Sequence, residues 1–132
     1  MKEFSTVPPA AGVETVLRRV DGCTRSNSAM DVIEIMAAMD LAFMPVVTDY
    51  LNPVVTGAVS MDHLSEAIRI LGSEKARVVN APLLRMPIVG PDAPLENLAH
   101  TAGDAPAYIV AQDERLIGIY EPRWRQGITR EP

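Results

Sequence analysis

The sequence predicts an α/β (α+β) fold made of two β-α-β-β-α repeats. In residues 28–72 a capped helical segment precedes two short β-branched runs and a second helix, and the same order returns in residues 92–126. Pro45 and Gly57 are 12 residues apart, as are Pro106 and Gly118, and the two pairs are offset by 61 residues. Because a unit this small cannot bury a sheet alone, we expect the two copies to share one core.

The first copy opens with a helix whose start is marked by Ser28 and Asp31. These residues approximate a capping box, in which the serine hydroxyl accepts a backbone N–H of the first turn. Two strands are predicted next, over residues 43–48 and 54–59. Neither strand alternates between apolar and polar residues, so both are expected to be buried on two faces. The apolar stripe predicted for the helix is Val32, Ile33, Met36 and either Met39 or Ala38.

A second helix of the first copy is predicted to begin after Ser60 and to end at Gly72. Serine is a favourable N-cap, and glycine commonly terminates a helix. The predicted apolar face of this helix consists of Leu64, Ala67, Ile68 and Leu71.

The second copy repeats this order in a shorter form. Asp92 is predicted to cap its first helix, with Pro94 in the first turn, where the missing N–H costs little. Strands are predicted over residues 107–110 and 116–120, and a short helix over residues 122–126. We therefore divide the chain into residues 1–72 and residues 73–132.

Composition restricts the classes of function. Of the 132 residues 48% are hydrophobic and only 5% aromatic, so an aliphatic core is expected. The net charge of −5 argues against nucleic acid as a partner. The single cysteine, Cys23, cannot form an internal disulfide, and no Cys/His spacing suggests zinc. No apolar run approaches the roughly 18 residues of a membrane helix, and the N-terminus lacks a signal core, so a cytoplasmic protein is expected.

The order and spacing of these elements resemble the CBS (cystathionine β-synthase) motif. In the first copy the resemblance rests on a capped helix followed by MPVVTD, a turn, VTGAVS and another helix. A weaker second copy contains AYIVAQ and LIGIYE. Two such motifs normally pack with pseudo-twofold symmetry as a Bateman module. The resemblance implies binding of adenosine-containing ligands (AMP, ADP, ATP or S-adenosylmethionine) in clefts between the motifs, and dimerisation of two modules.

Gly57 has two interpretations. A strand glycine admits a ligand or another backbone, because it has no Cβ, so it either lines a binding cleft or relieves crowding between the repeats. The family pattern G-x-x-[ST]-x-x-D implies a hydroxyl near phosphate at Ser60 and a ribose-binding aspartate at position 63, where this chain has His63. Asp62 lies one residue early, about 100° around the helix.

The second copy departs further from that pattern. Glu121 stands at the hydroxyl position and Trp124 at the acid position, and Arg123 lies between them. A carboxylate there would repel phosphate unless the arginine offset it. The full set of candidate ligand-binding residues is Met44, Pro45, Val46, Gly57, Ser60, Asp62, His63, Tyr108, Gly118, Arg123 and Trp124.

Two hypotheses about function follow. The first is a regulatory module that senses an adenosine-containing ligand, such as an adenine nucleotide, and forms a homodimer. The second is a degenerate pair that works without ligand as a dimerisation or protein-docking module. An enzyme is disfavoured, since no motif supplies a nucleophile, a base or a metal site.

Overall fold

The computed structural model describes residues 12–96, 98 and 105–124, and within them the predicted helix caps of the first repeat are confirmed. The Ser28 hydroxyl accepts the N–H of Asp31 at 3.3 Å, and the Ser60 hydroxyl accepts the N–H of His63 at 3.0 Å. Gly72 ends the second helix with a φ of 94°. The helices of the first repeat are α1 (Ala29–Met39) and α2 (Met61–Leu71).

Among the described residues, six strands form two sheets, one of four strands and one of two. The four hairpin strands lie within one or two residues of their predicted positions. The four-stranded sheet has the order β1-β6-β5-β4, and the other sheet is the β2-β3 hairpin. The strands are β1 (Arg18–Arg19), β2 (Phe43–Val47), β3 (Val55–Ser60), β4 (Ile88–Val89), β5 (Tyr108–Gln112) and β6 (Arg115–Tyr120).

The two hairpins confirm that the chain contains a repeat. Gly57 lies opposite Val46 in the first hairpin, and Gly118 lies opposite Val110 in the second. Each hairpin has a register irregularity at the next pair. Gly57 and Gly118 are therefore equivalent, and Ser60 is equivalent to Glu121.

The predicted match between Pro45 and Pro106 is wrong. Pro45 lies within β2 opposite Ala58, but the equivalent position of the second hairpin, opposite Ile119, is Ile109. Pro106 precedes β5. The reason is loop length, because the chain between equivalent paired residues is three residues longer in the first hairpin (Val47 to Val55) than in the second (Ala111 to Leu116). The equal proline-to-glycine spacing is a coincidence.

The segments that lead into the repeats cross between the two sheets. Strand β1 pairs with β6 of the second repeat, and Cys23 then bridges Val46 of the first. Reciprocally, Leu84 bridges Ala58 of the first repeat before β4 pairs with β5 of the second. This exchange relates the two β-α-β-β-α units by a pseudo-twofold axis and joins their sheets.

The second repeat begins its helix later than predicted. Helical backbone starts at Leu95, so Pro94 occupies the cap position and Asp92 lies in the preceding turn. The carbonyl oxygen of Ala93, just before this helix, accepts a hydrogen bond from the N–H of Val13 at 2.8 Å. The rest of this helix, including His100, and the predicted helical residues 125–126 lie outside the described residues.

Two clusters of buried side chains form the core. The first surrounds Met36, Val46 and Leu64, and the second surrounds Tyr108 and Tyr120. Trp124 packs against both clusters. The predicted face of α2 is confirmed at Leu64 and Ala67, but Leu71 in its last turn is exposed. In the described part of the chain, no helix is long and apolar enough to cross a membrane.

Candidate functional site

A cavity of about 310 Å³ lies beside the start of α2 and brings together three of the predicted site residues, Ser60, Asp62 and Arg123. We call it the α2 cavity. Its walls come from the end of α1, the start of β2 and the start of α2, with Arg123 contributed by the second repeat. Its lining consists of Met36, Ala37, Asp40, Leu41, Ala42, Phe43, Ser60, Met61, Asp62 and Arg123.

Ser60 is the most buried polar residue of this lining, with 8% of its surface exposed. Its oxygen accepts the His63 N–H that caps α2. A hydroxyl group can also donate one hydrogen bond, so the Ser60 O–H remains able to bind an acceptor in the cavity. The capping role nevertheless accounts for a serine here without any ligand.

Both strand glycines are explained by packing between the repeats. A Cβ on Gly57 would lie 2.8 Å from the carbonyl oxygen of Leu84 and 2.9 Å from the Leu83 side chain. A Cβ on Gly118 would lie closer still to the carbonyl oxygen of Arg18. Each glycine thus admits the backbone of a crossing segment, and this geometry favours the crowding interpretation over a binding cleft.

Just before the helical residues Arg123 and Trp124, the carboxylate of Glu121 takes the place that the Ser60 hydroxyl has in the first repeat. Glu121 is fully buried, and its Oε2 accepts the backbone N–H groups of Ala42 at 2.8 Å and Phe43 at 3.2 Å. Its Oε1 accepts Nε of Arg123 at 2.6 Å. The second repeat therefore contacts the start of β2 through an acidic side chain.

The C-terminal end of α1 is held by cationic and aromatic groups. Nη2 of Arg123 donates to the Asp40 carbonyl at 2.8 Å, and the Trp124 indole N–H donates to the same oxygen at 3.3 Å. Arg18 donates to the carbonyls of Met39 and Asp40, and its guanidinium lies 3.9 Å from the centre of the Trp124 ring. Cations suit the negative end of a helix dipole.

The pKa of Arg123 reflects these contacts. Partial burial disfavours the charged guanidinium, but the hydrogen bond and charge of Glu121, together with Asp40, outweigh it and raise the pKa of Arg123. Arg123 thus stays cationic, and much of its hydrogen-bonding capacity is already engaged.

Comparison with known proteins identifies the fold. No protein-family model matches the chain, and no curated protein matches it in sequence. Solved structures do match. An AcuB protein from Vibrio cholerae, assigned to acetoin utilization, has a TM-score of 0.71 and 23% identity over 89% of each chain. The CBS domains of a transcriptional regulator from Streptococcus pneumoniae have a TM-score of 0.67 and 18% identity over 85% of this chain and 93% of that one.

The CBS domain pair of protein MJ0100, crystallised with 5′-methylthioadenosine and S-adenosyl-L-methionine, has a TM-score of 0.68 and 18% identity. The match covers 92% of this chain and 97% of that one. The chain has the fold of a tandem CBS domain pair. This fold is the architecture that the repeated order of elements predicts.

The remaining predicted site residues do not join the α2 cavity. Met44 lines a second cavity of about 440 Å³, between α1 and β6. The ring of Tyr108 is buried, with its hydroxyl donating to the Leu98 carbonyl at 2.9 Å, and Trp124 packs edge-on to Tyr120. His63 is exposed on α2. Pro45 and Val46 are buried within β2.

Sequence reasoning missed several residues that line the two cavities. Met36, Leu41 and Phe43 reach the α2 cavity from the end of α1 and the start of β2. The second cavity also includes Arg19, the last residue of β1, and Asp21 from the segment that follows it. No local sequence signal marks them, because each cavity is assembled from elements far apart in the chain. Among the described residues, no group of three or more His, Cys, Asp or Glu side chains could hold a metal.

Proposed function

We propose that this CBS pair is a regulatory module that binds an adenosine-containing ligand in the α2 cavity. The observation that carries the proposal is the meeting of Ser60, Asp62 and Arg123 on an otherwise largely apolar wall. Small-molecule sites typically combine an apolar lining with a few polar groups and have volumes of roughly 300–1,000 Å³. At about 310 Å³ the α2 cavity has room for a nucleoside-sized group.

The charges around the cavity favour a ligand without a phosphate chain. Asp40 and Asp62 contribute two carboxylates, while Arg123 is already paired with Glu121 and Asp40. A phosphate would meet net repulsion, whereas a neutral nucleoside or a cationic sulfonium would not. The ligands of the MJ0100 pair, 5′-methylthioadenosine and S-adenosyl-L-methionine, are of these two kinds. We therefore favour them over AMP, ADP or ATP.

Affinity is expected to be modest, because His63 stands where the family pattern has a ribose-binding aspartate. A hydrogen bond to a charged group is worth roughly 1.5–3 kcal/mol. Its loss corresponds to a dissociation constant tens-fold weaker or more.

The test measures the melting temperature of the protein in the presence of adenosine, 5′-methylthioadenosine, S-adenosylmethionine, AMP or ATP. A ligand at 100 times its dissociation constant adds about 2.7 kcal/mol of stability. We expect the phosphate-free compounds to raise the melting temperature and Asp62→Asn to remove that rise. Asp31→Asn is the matched control, because Asp31 lies in the first turn of α1 and outside the cavity lining.

A ligand-free dimerisation or docking module is the second candidate function. The observation that favours it is Glu121, whose buried carboxylate occupies the polar position of the second repeat. If no adenosine compound at millimolar concentration shifts the melting temperature of the wild-type protein, the sensor proposal fails and this alternative stands. We also propose that the protein is cytoplasmic and that the first repeat ends at Gly72.

A further inference from the structure

The two buried polar side chains of the described residues occupy the same position in the two repeats. Ser60 ends β3 and Glu121 follows β6, each three residues after the equivalent glycine. The serine caps its own helix. The glutamate instead reaches the other repeat, since its partners Ala42 and Phe43 are 79 and 78 residues away in sequence.

The atoms around the Glu121 carboxylate form a compact set of donors. Two consecutive backbone N–H groups bind one oxygen, and the Arg123 guanidinium binds the other. Backbone N–H groups together with an arginine are a combination that proteins use to bind free carboxylates and phosphates. Here the anion is supplied by the chain itself.

These donors are positioned independently of Glu121. Ala42 and Phe43 are held where α1 leads into β2, and the Ala42 carbonyl receives the N–H of Met61 at 2.9 Å. Arg123 is held by the Asp40 carbonyl at 2.8 Å. Removing the carboxylate would therefore leave a formed but empty donor set.

We propose that Glu121 is a built-in anion that occupies an oxyanion site between the two repeats, and that this site accepts a free small carboxylate once the side chain is removed. The bound carboxylate ties the end of β6 to the start of β2, so the repeats are held together at this point without any ligand. Ala42, Phe43 and Arg123 also line the α2 cavity, but the inference does not require that an adenosine-containing ligand binds there.

The experiment is chemical rescue of Glu121→Ala with formate and acetate. The variant leaves two N–H groups without an acceptor, and a melting temperature lowered by roughly 5–15 °C is expected. Formate is expected to restore much of this loss along a saturating curve, with a smaller effect for acetate. Sodium chloride at the same ionic strength controls for screening.

Two further variants complete the test. Glu66→Ala removes an exposed glutamate that is ion-paired with Arg69 on α2, and it should show no formate-specific gain. Glu121→Ala combined with Arg123→Ala should lose the rescue, because the guanidinium donor is gone. If Glu121→Ala is recovered only unfolded, its refolding yield with and without formate becomes the readout. Equal responses of Glu121→Ala to formate and chloride, in melting temperature or in yield, would overturn the proposal.

Discussion

At the residue scale, equivalent positions of the two repeats serve different purposes. Ser60 satisfies a backbone N–H of its own helix, a contact within three residues of the chain. Glu121 satisfies two N–H groups of the other repeat. A longer, charged side chain at this position therefore converts a local cap into a contact between repeats.

Cys23 gives a prediction about pH. The thiol is 1% exposed, and burial raises its pKa from the ordinary 9.0 to about 12. Between these values the unfolded chain loses a proton that the folded protein keeps, so stability is lost as pH rises. Above pH 9 the unfolding free energy should fall by up to about 1.4 kcal/mol per pH unit from this group. Urea unfolding at several pH values measures the slope.

The Cys23→Ala variant is the control for that measurement. It lacks the thiol, so its unfolding free energy should depend less on pH in this range than that of the wild type. Identical slopes for the two proteins would show that the thiol is not shielded as the structure indicates.

At the element scale, the crossing segments hold the two sheets together. Leu84 exchanges two backbone hydrogen bonds with Ala58, at 2.7 and 3.0 Å. Arg18 and Arg19 pair with β6 beside Gly118. Each hairpin thus depends on a segment that leads into the opposite repeat, and neither repeat completes its sheet alone.

Gly118→Ala tests this close approach. The new Cβ would collide with the backbone of Arg18, which cannot move without breaking the pairing of β1 with β6. Overpacking of this kind costs about 1–3 kcal/mol, measured by urea unfolding. Gly90→Ala is the matched control, because the nearest atom to its Cβ would be 3.4 Å away. Equal stability of the two variants would contradict the packing role of Gly118.

At the scale of the whole molecule, one end of α2 remains apolar and exposed. Ile70 is 64% exposed and Leu71 42%. The 3-10 turn Val78–Asn80 contacts α2 and adds Val79, which is 46% exposed. Large aliphatic side chains clustered at a surface are typical of a protein interface.

We predict that a second copy of the chain covers this surface in a homodimer. Light scattering at micromolar concentration should give twice the mass of one chain. Ile70→Glu should shift the equilibrium toward the monomer, because a charge would be buried in the interface. Ser65→Glu adds the same charge at another exposed position of α2 and should not. A wild-type monomer at these concentrations would refute the dimer.

The sequence by itself determined the local structure of the hairpin and helix units. The caps at Ser28 and Ser60 and the end of α2 at Gly72 follow from patterns within a few residues, and the repeated order of elements predicts the equivalence of Gly57 with Gly118. Caps and short β-branched runs depend on neighbours in the chain, so a single sequence contains them. The order of these units was enough to predict the CBS architecture.

Only the tertiary structure decided how distant segments meet. It placed Glu121 against Ala42 and Phe43, exchanged the crossing segments between sheets and separated Met44 from the α2 cavity. It also showed that Pro106 and Pro45 do not occupy equivalent positions, because the two hairpin loops differ in length. The equal spacing of proline and glycine in the sequence does not reveal this difference. Such contacts depend on packing between elements dozens of residues apart, and no local pattern of side chains records which elements will become neighbours.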